Sequence, residues 1–85
     1  MKVLIPSPLR SYTGESEVDA SGSTLMAMLA DLDRQYPGIR FRMIDEQEKM
    51  RPHIRFFVNY EQVFDMKRSL RPTDEVQIVQ ALSGG

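Results

Sequence analysis

Ser23-Thr24-Leu25-Met26-Ala27-Met28-Leu29-Ala30-Asp31-Leu32-Asp33-Arg34-Gln35-Tyr36-Pro37-Gly38 is the stretch on which the fold of this 85-residue chain turns. Leu25, Met28, Leu29, Leu32 and Tyr36 recur at i, i+3, i+4, i+7 and i+11, one continuous stripe of an α-helix. Asp31, Asp33, Arg34 and Gln35 fall mainly on other faces. Ser23 or Thr24 supplies a cap, because a hydroxyl there accepts a hydrogen bond from one of the first free N–H groups. Pro37-Gly38 ends the helix: proline cannot continue the hydrogen-bond ladder, and glycine tolerates the exit conformation. Met26 and Met28 read as gap-filling core.

Working outward, Val3-Leu4-Ile5 is a short apolar run stopped by Pro6-Ser7-Pro8, which suits a buried strand ending in an irregular segment. Glu15-Ser16-Glu17-Val18-Asp19, with Gly14 before it and Ser21-Gly22 after it, reads as a second strand returning as a hairpin. Downstream, the alternation of Ile39, Phe41 and Met43 predicts a short extended segment, and Asp45-Glu46-Gln47-Glu48-Lys49 a solvated, charged turn. Ile54-Arg55-Phe56-Phe57-Val58 is a β-rich run closed by the turn-prone Asn59. Glu61 to Ser69 has little period, with Val63, Phe64 and Leu70 as apolar anchors. Arg71-Pro72-Thr73-Asp74 is a turn, and Val76-Gln77-Ile78-Val79-Gln80 the last strand. Strand, strand, helix, strand, strand over one core is a small α+β roll, the β-grasp arrangement of ubiquitin-like proteins. It predicts a single domain over 1–80, a mixed sheet packed on one main helix, and a flexible C-terminal tail over 81–85. A last strand beside the first would be parallel to it and central, matching the near-continuous apolar character of both.

Composition closes off several functions. Cysteine is absent, which excludes disulfides, a thiolate nucleophile and a thiolate metal site. A formal charge of −1 gives no electrostatic footprint for nucleic acid. No apolar run approaches a membrane span, and Met1-Lys2-Val3-Leu4-Ile5 followed by Pro6 lacks the apolar region of a secretory signal, so the expected location is cytoplasmic. His53 is the one histidine and reads as structural or surface. Its flanks offer no nucleophile elbow for a Ser-His-Asp set, and one imidazole with scattered carboxylates has no metal-ligand spacing. Glu15/Glu17 and Asp31/Asp33 read as surface carboxylates, and Gly14, Gly22 and Gly38 lie too far apart to cradle phosphate. Arg40, Arg42, Arg51 and Arg55 form a loose basic cluster that could meet an acidic partner. The chain therefore reads as a poor stand-alone enzyme with no stably bound cofactor and no metal.

The one feature with chemistry is Gly84-Gly85. A tail with no Cβ can be threaded through a channel too narrow for any side chain. Its carboxylate becomes reactive once coupled to AMP, since a mixed anhydride has a good leaving group.

Ala81-Leu82-Ser83-Gly84-Gly85 after a β-rich strand resembles the MoaD/ThiS family of ubiquitin-like sulfur carriers. Val58-Asn59, Thr24-Leu25 opening a helix that ends Tyr36-Pro37-Gly38, and Asp74-Glu75-Val76 carry the same resemblance. Tyr36-Pro37-Gly38-Ile39-Arg40-Phe41-Arg42 and the charged loop after it are similar to the longer, CysO-like members. Tyr60, Thr73 and Gln80 depart from the pattern. The resemblance implies a cycle. A ubiquitin-activating-type adenylating enzyme (MoeB/ThiF-like), using ATP and magnesium, forms the Gly85 acyl-adenylate. A persulfide sulfur donor converts it to a thiocarboxylate, with Gly84 giving the approach. A downstream sulfur-accepting enzyme then takes the sulfur. The pathway stays open, as do three other roles: small subunit of a molybdopterin-synthase-type complex, lysine-conjugated modifier, and plain interaction module.

Strand alternation places the grip. If Ile54, Phe56, Val58, Val76, Ile78, Val3 and Ile5 face the helix, then Leu4, Phe57 and Val79 face outward and line up beside the tail exit. A contiguous apolar patch on a small domain marks a docking site. Leu82 and Ser83 join this partner-binding set, and Arg55 and Arg71 could steer acidic partners.

Overall fold

Thr24 stands in extended backbone, and its Oγ1 accepts from the Ala27 N–H at 3.1 Å, the cap that opens helix α2 (Leu25–Gln35). In the computed structural model, which describes residues 1–81, Leu25, Met28, Leu29 and Leu32 are wholly buried. Each such side chain contributes roughly 1.5–3 kcal/mol by leaving water. Tyr36, at the end of the stripe, and Met26, at its margin, are partly buried against the same core.

The stripe belongs to one core with the inward residues of a five-stranded sheet, β1 (Lys2–Leu4), β2 (Glu17–Asp19), β3 (Ile54–Val58), β4 (Glu61–Val63) and β5 (Glu75–Gln80). The order is β2-β1-β5-β3-β4. β1 and β5 are parallel, with Val3 opposite Val76, and every other pairing is antiparallel. Val3, Ile5, Ile54, Phe56, Val58, Val76 and Ile78 all face the core, as alternation required. The last strand is thus central, and the mixed α+β sheet on one main helix is the β-grasp architecture.

Four details differ from the sequence expectation. Ile39–Met43 is a helix, α3, rather than an extended segment. Gly38 turns the chain at φ 98°, and Asp33 Oδ1 accepts from both the Gly38 and Arg40 N–H groups at 3.1 Å, a cap supplied from the end of α2. Ile39 and Met43, four apart, share the buried side, while Phe41 between them is 53% exposed. The Pro6-Ser7-Pro8 segment is not irregular: Ser7–Leu9 is a 3-10 turn running into a short helix, α1 (Arg10–Thr13), and it buries Leu9. A short strand, β4, follows Asn59, and two polar residues in three hid it. Phe64 is no anchor, being 77% exposed one residue past the inward-facing Val63.

Gly22 lets the segment before α2 run close against the helix's first turn. A Cβ there would sit 2.4 Å from the Met28 nitrogen and 2.7 Å from the Ala27 carbonyl carbon, both backbone atoms that cannot swing away. Gly22→Ala is expected to destabilise the domain by about 1–3 kcal/mol. In thermal melts this is a fall of roughly 4–8 °C per kcal/mol for a domain this small. An unchanged melting temperature would show that α2 shifts freely against the segment before it.

Candidate functional site: the exit of the central strand and its outer face

β5 extends beyond its partner β1. Pairing with β1 covers Glu75–Gln77, whereas pairing with β3 runs on to Gln80 opposite Ile54. The cause lies in Pro6, whose extended φ of −69° and missing N–H end β1 and lead the chain away into the 3-10 turn. Ile78–Gln80 are left with β3 on one side and the Ile5–Pro8 segment on the other. The last backbone link among the described residues is the Ala81 N–H donating to the His53 carbonyl at 2.8 Å. The expected tail residues Leu82, Ser83, Gly84 and Gly85 lie outside the described residues.

A depression of about 520 Å³ lies along this gap. Leu4, Phe57 and Val79 all line it, with Pro6, Pro8 and Tyr60 at its sides. The three apolar residues do not form a single row. Leu4 and Phe57 are both register partners of Gln77, which stands between them, and Val79 lies in the next row opposite Arg55. Leu4 and Phe57 are half-buried and Val79 is 44% exposed. Gln80 lines the depression at its exit end, so the outer apolar face and the start of the tail are contiguous.

The opposite rim is polar. Gln77, the one buried polar side chain among the described residues, donates to Glu75 Oε2 at 2.6 Å and accepts from the Tyr60 N–H at 3.0 Å. Lys2 Nζ approaches Glu75 at 3.3 Å and Glu17 at 3.8 Å. The Gln77 amide, then the Tyr60 hydroxyl and Lys2, hold the Glu75 carboxyl below its ordinary range. Conversely, the bond to Glu75 and the nearby carboxylates raise Lys2, and the bond to Glu75 raises the Tyr60 hydroxyl. Nothing in the sequence pattern marked Tyr60 or Gln77 as part of this face. The available signal was a glutamine between the apolar Val76 and Ile78 of the central strand.

The turn joining β3 to β4 is tied to the start of β5. The Asn59 amide donates to Asp74 Oδ1 at 3.0 Å, its carbonyl accepts from the Glu75 N–H at 3.0 Å, and its backbone N–H reaches Glu75 O at 2.8 Å. This accounts physically for two separated motifs, Val58-Asn59 and Asp74-Glu75-Val76. The four-arginine cluster, by contrast, is divided. Arg40 pairs with Glu48 at 3.3 Å, and Arg55 donates to the carbonyls of Pro52 and Ile54. Arg42 and Arg51 line a second hollow with His53 and Gln80, Arg51 lying 4.6 Å from the centre of the Phe41 ring. Arg71 is exposed, and its N–H donates to Asp74 Oδ2 at 2.8 Å. Among the described residues no three His, Cys, Asp or Glu side chains are grouped to hold a metal, and no helix is long and apolar enough to cross a membrane.

Fold and exit geometry define a ubiquitin-like β-grasp protein whose central strand delivers the C-terminal segment. The chain belongs to the ThiS family, whose model matches residues 3–85. It is 36% identical over 89 aligned residues to the sulfur carrier protein CysO of Mycobacterium tuberculosis, spanning 98% of this chain and 96% of that one. Among solved structures, the Amycolatopsis orientalis BexX/CysO complex contains a chain matching at a TM-score of 0.90 and 33% identity, over 99% of this chain and 98% of its own. Crystalline Mycobacterium tuberculosis CysO matches at 0.89 and 34%, over 95% and 98%. Haloferax volcanii SAMP1, at 23% identity and a TM-score of 0.81 over 100% of this chain and 98% of its own, shares the fold.

The Arg71 N–H first, and then the Asn59 amide, hold the Asp74 carboxyl below its ordinary range. Its folded value is below its unfolded one, so its contribution is complete above the unfolded range and lost as pH falls through the lowered folded value. Asp74→Asn is therefore expected to lose less melting temperature than wild type between about pH 7 and about pH 3. Equal losses would show that the tie between Asn59 and Asp74 contributes nothing to acid sensitivity.

Proposed function

We propose that this protein is a sulfur carrier, a protein substrate rather than a catalyst, with Gly85 as the terminal residue of its working form. The observation that carries the reading is the likeness to CysO sulfur carriers along nearly the full chain, joined to a central strand that presents the C-terminal segment beside an apolar face. A ubiquitin-activating-type adenylating enzyme would supply ATP and magnesium. The Gly85 carboxylate attacks the α-phosphorus and expels pyrophosphate, giving the acyl-adenylate. The terminal sulfur of a persulfide then attacks the acyl carbon and expels AMP. A second thiol on the donor cleaves the resulting acyl disulfide, which leaves the thiocarboxylate on Gly85 and a disulfide on the donor. A downstream enzyme accepts the sulfur, in keeping with the BexX/CysO complex of the related carrier.

Each element of the domain has a place in this reading. Gly84 and Gly85 offer no Cβ to a narrow active-site channel. Leu4, Phe57 and Val79, extended by Leu82 and Ser83, are the grip by which partners hold the body while the carboxyl group reacts. The absence of cysteine keeps an internal thiol from competing with the cargo.

Incubation with its adenylating enzyme, ATP, magnesium and a sulfur donor is expected to raise the intact mass by one oxygen-to-sulfur exchange. A chain ending at Ser83 is expected to show no gain. Val79→Asp, at a 44% exposed position, should slow loading by about tenfold or more while leaving the fold intact. Failure of the wild-type chain to exchange sulfur, or rescue of the dependent metabolite by the chain ending at Ser83, would defeat the reading.

A further inference from the structure

Tyr60 is 75% exposed and stands in left-handed backbone at φ 69°. Its neighbour Asn59, at φ 51°, is suited to that region and uses its side chain twice on Asp74 and Glu75. A tyrosine is not. Two consecutive residues with positive φ are what a two-residue turn between antiparallel strands demands, and asparagine, aspartate or glycine satisfies that demand with less strain. The backbone bond from the Tyr60 N–H to Gln77 would be kept by any of them. What tyrosine adds is its ring, and the ring gains little from the domain itself at this exposure. The nearby Glu75 carboxylate raises its hydroxyl, and the ring itself stays uncovered. The ring's position is the informative part, because Tyr60 rims the depression that Leu4, Phe57 and Val79 line.

Strain retained at an exposed residue is a recurrent mark of a functional position. Aromatic side chains are the commonest interface anchors, offering large rigid area for few lost rotamers. Resting on the carrier reading above, we propose that Tyr60 is a binding anchor of the docking face, its ring received by an apolar pocket on the adenylating enzyme that activates the tail. The apolar floor beside it supplies the rest of the contact.

The test uses substitutions whose effects on stability and binding have opposite signs. Tyr60→Asn relieves the backbone, so its melting temperature is expected to hold or rise, by up to about 4–8 °C. Its dissociation constant for the adenylating enzyme, and its rate of sulfur loading, should worsen by about tenfold or more. Tyr60→Phe keeps the ring and should bind within about threefold of wild type. The inference is overturned if Tyr60→Asn melts about 4 °C or more below wild type, since the ring then serves as a cover for Gln77. It is equally overturned if Tyr60→Asn binds and loads like wild type, or if Tyr60→Phe loses as much as Tyr60→Asn. Should the wild-type chain itself never load, the carrier reading fails and this inference falls with it; loading of both wild type and Tyr60→Asn at one rate sinks the anchor alone.

Discussion

The parallel pairing of β1 with β5 is the constraint from which the rest follows. It places the last strand in the middle of the sheet, where Val76 and Ile78 reach the core and the strand cannot fray independently of the domain. A terminal segment that leaves a buried central strand starts from a fixed point. The same pairing is short, because Pro6 cannot extend it, and the length of β5 that β1 leaves uncovered lines the outer depression. One proline thus shapes the outer depression and sets it near the exit of β5.

The outer face is organised differently from the core. Inside, only size and shape are matched, and Leu25, Met28, Leu29, Leu32 and Phe56 are wholly buried. Outside, an apolar strip is flanked by the network of Lys2, Glu75, Gln77 and Tyr60, which satisfies the buried amide of Gln77 and keeps the strip narrow. A polar rim around a small apolar centre is the usual anatomy of a protein–protein interface.

Much of this was legible in the chain. The helix could be read because its stripe, its Thr24 cap and its Pro37-Gly38 stop all agree. Outward orientation of Leu4, Phe57 and Val79 could be read because strand alternation has a period of two and both neighbouring faces are strongly apolar. The short elements could not. Residues 39–43 are too few to display a helical period, and their cap comes from Asp33, a residue that belongs to another helix. β4 is three residues long and mostly polar, so its pairing with β3 outweighs its own preferences.

Sequence alone determined what is local or compositional: the amphipathic helix, the strand faces, and a composition with one histidine and no cysteine. Only the tertiary structure decided what depends on register and on meetings across the chain. It set Gln77 between Leu4 and Phe57, drew Arg40 to Glu48 while leaving Arg42 and Arg51 on one hollow, and brought Tyr60 to the rim of the outer depression. The reason is that periodicity tells which side of a strand a residue faces, whereas its neighbours are chosen by pairing, and pairing is settled by burial of the whole sheet at once.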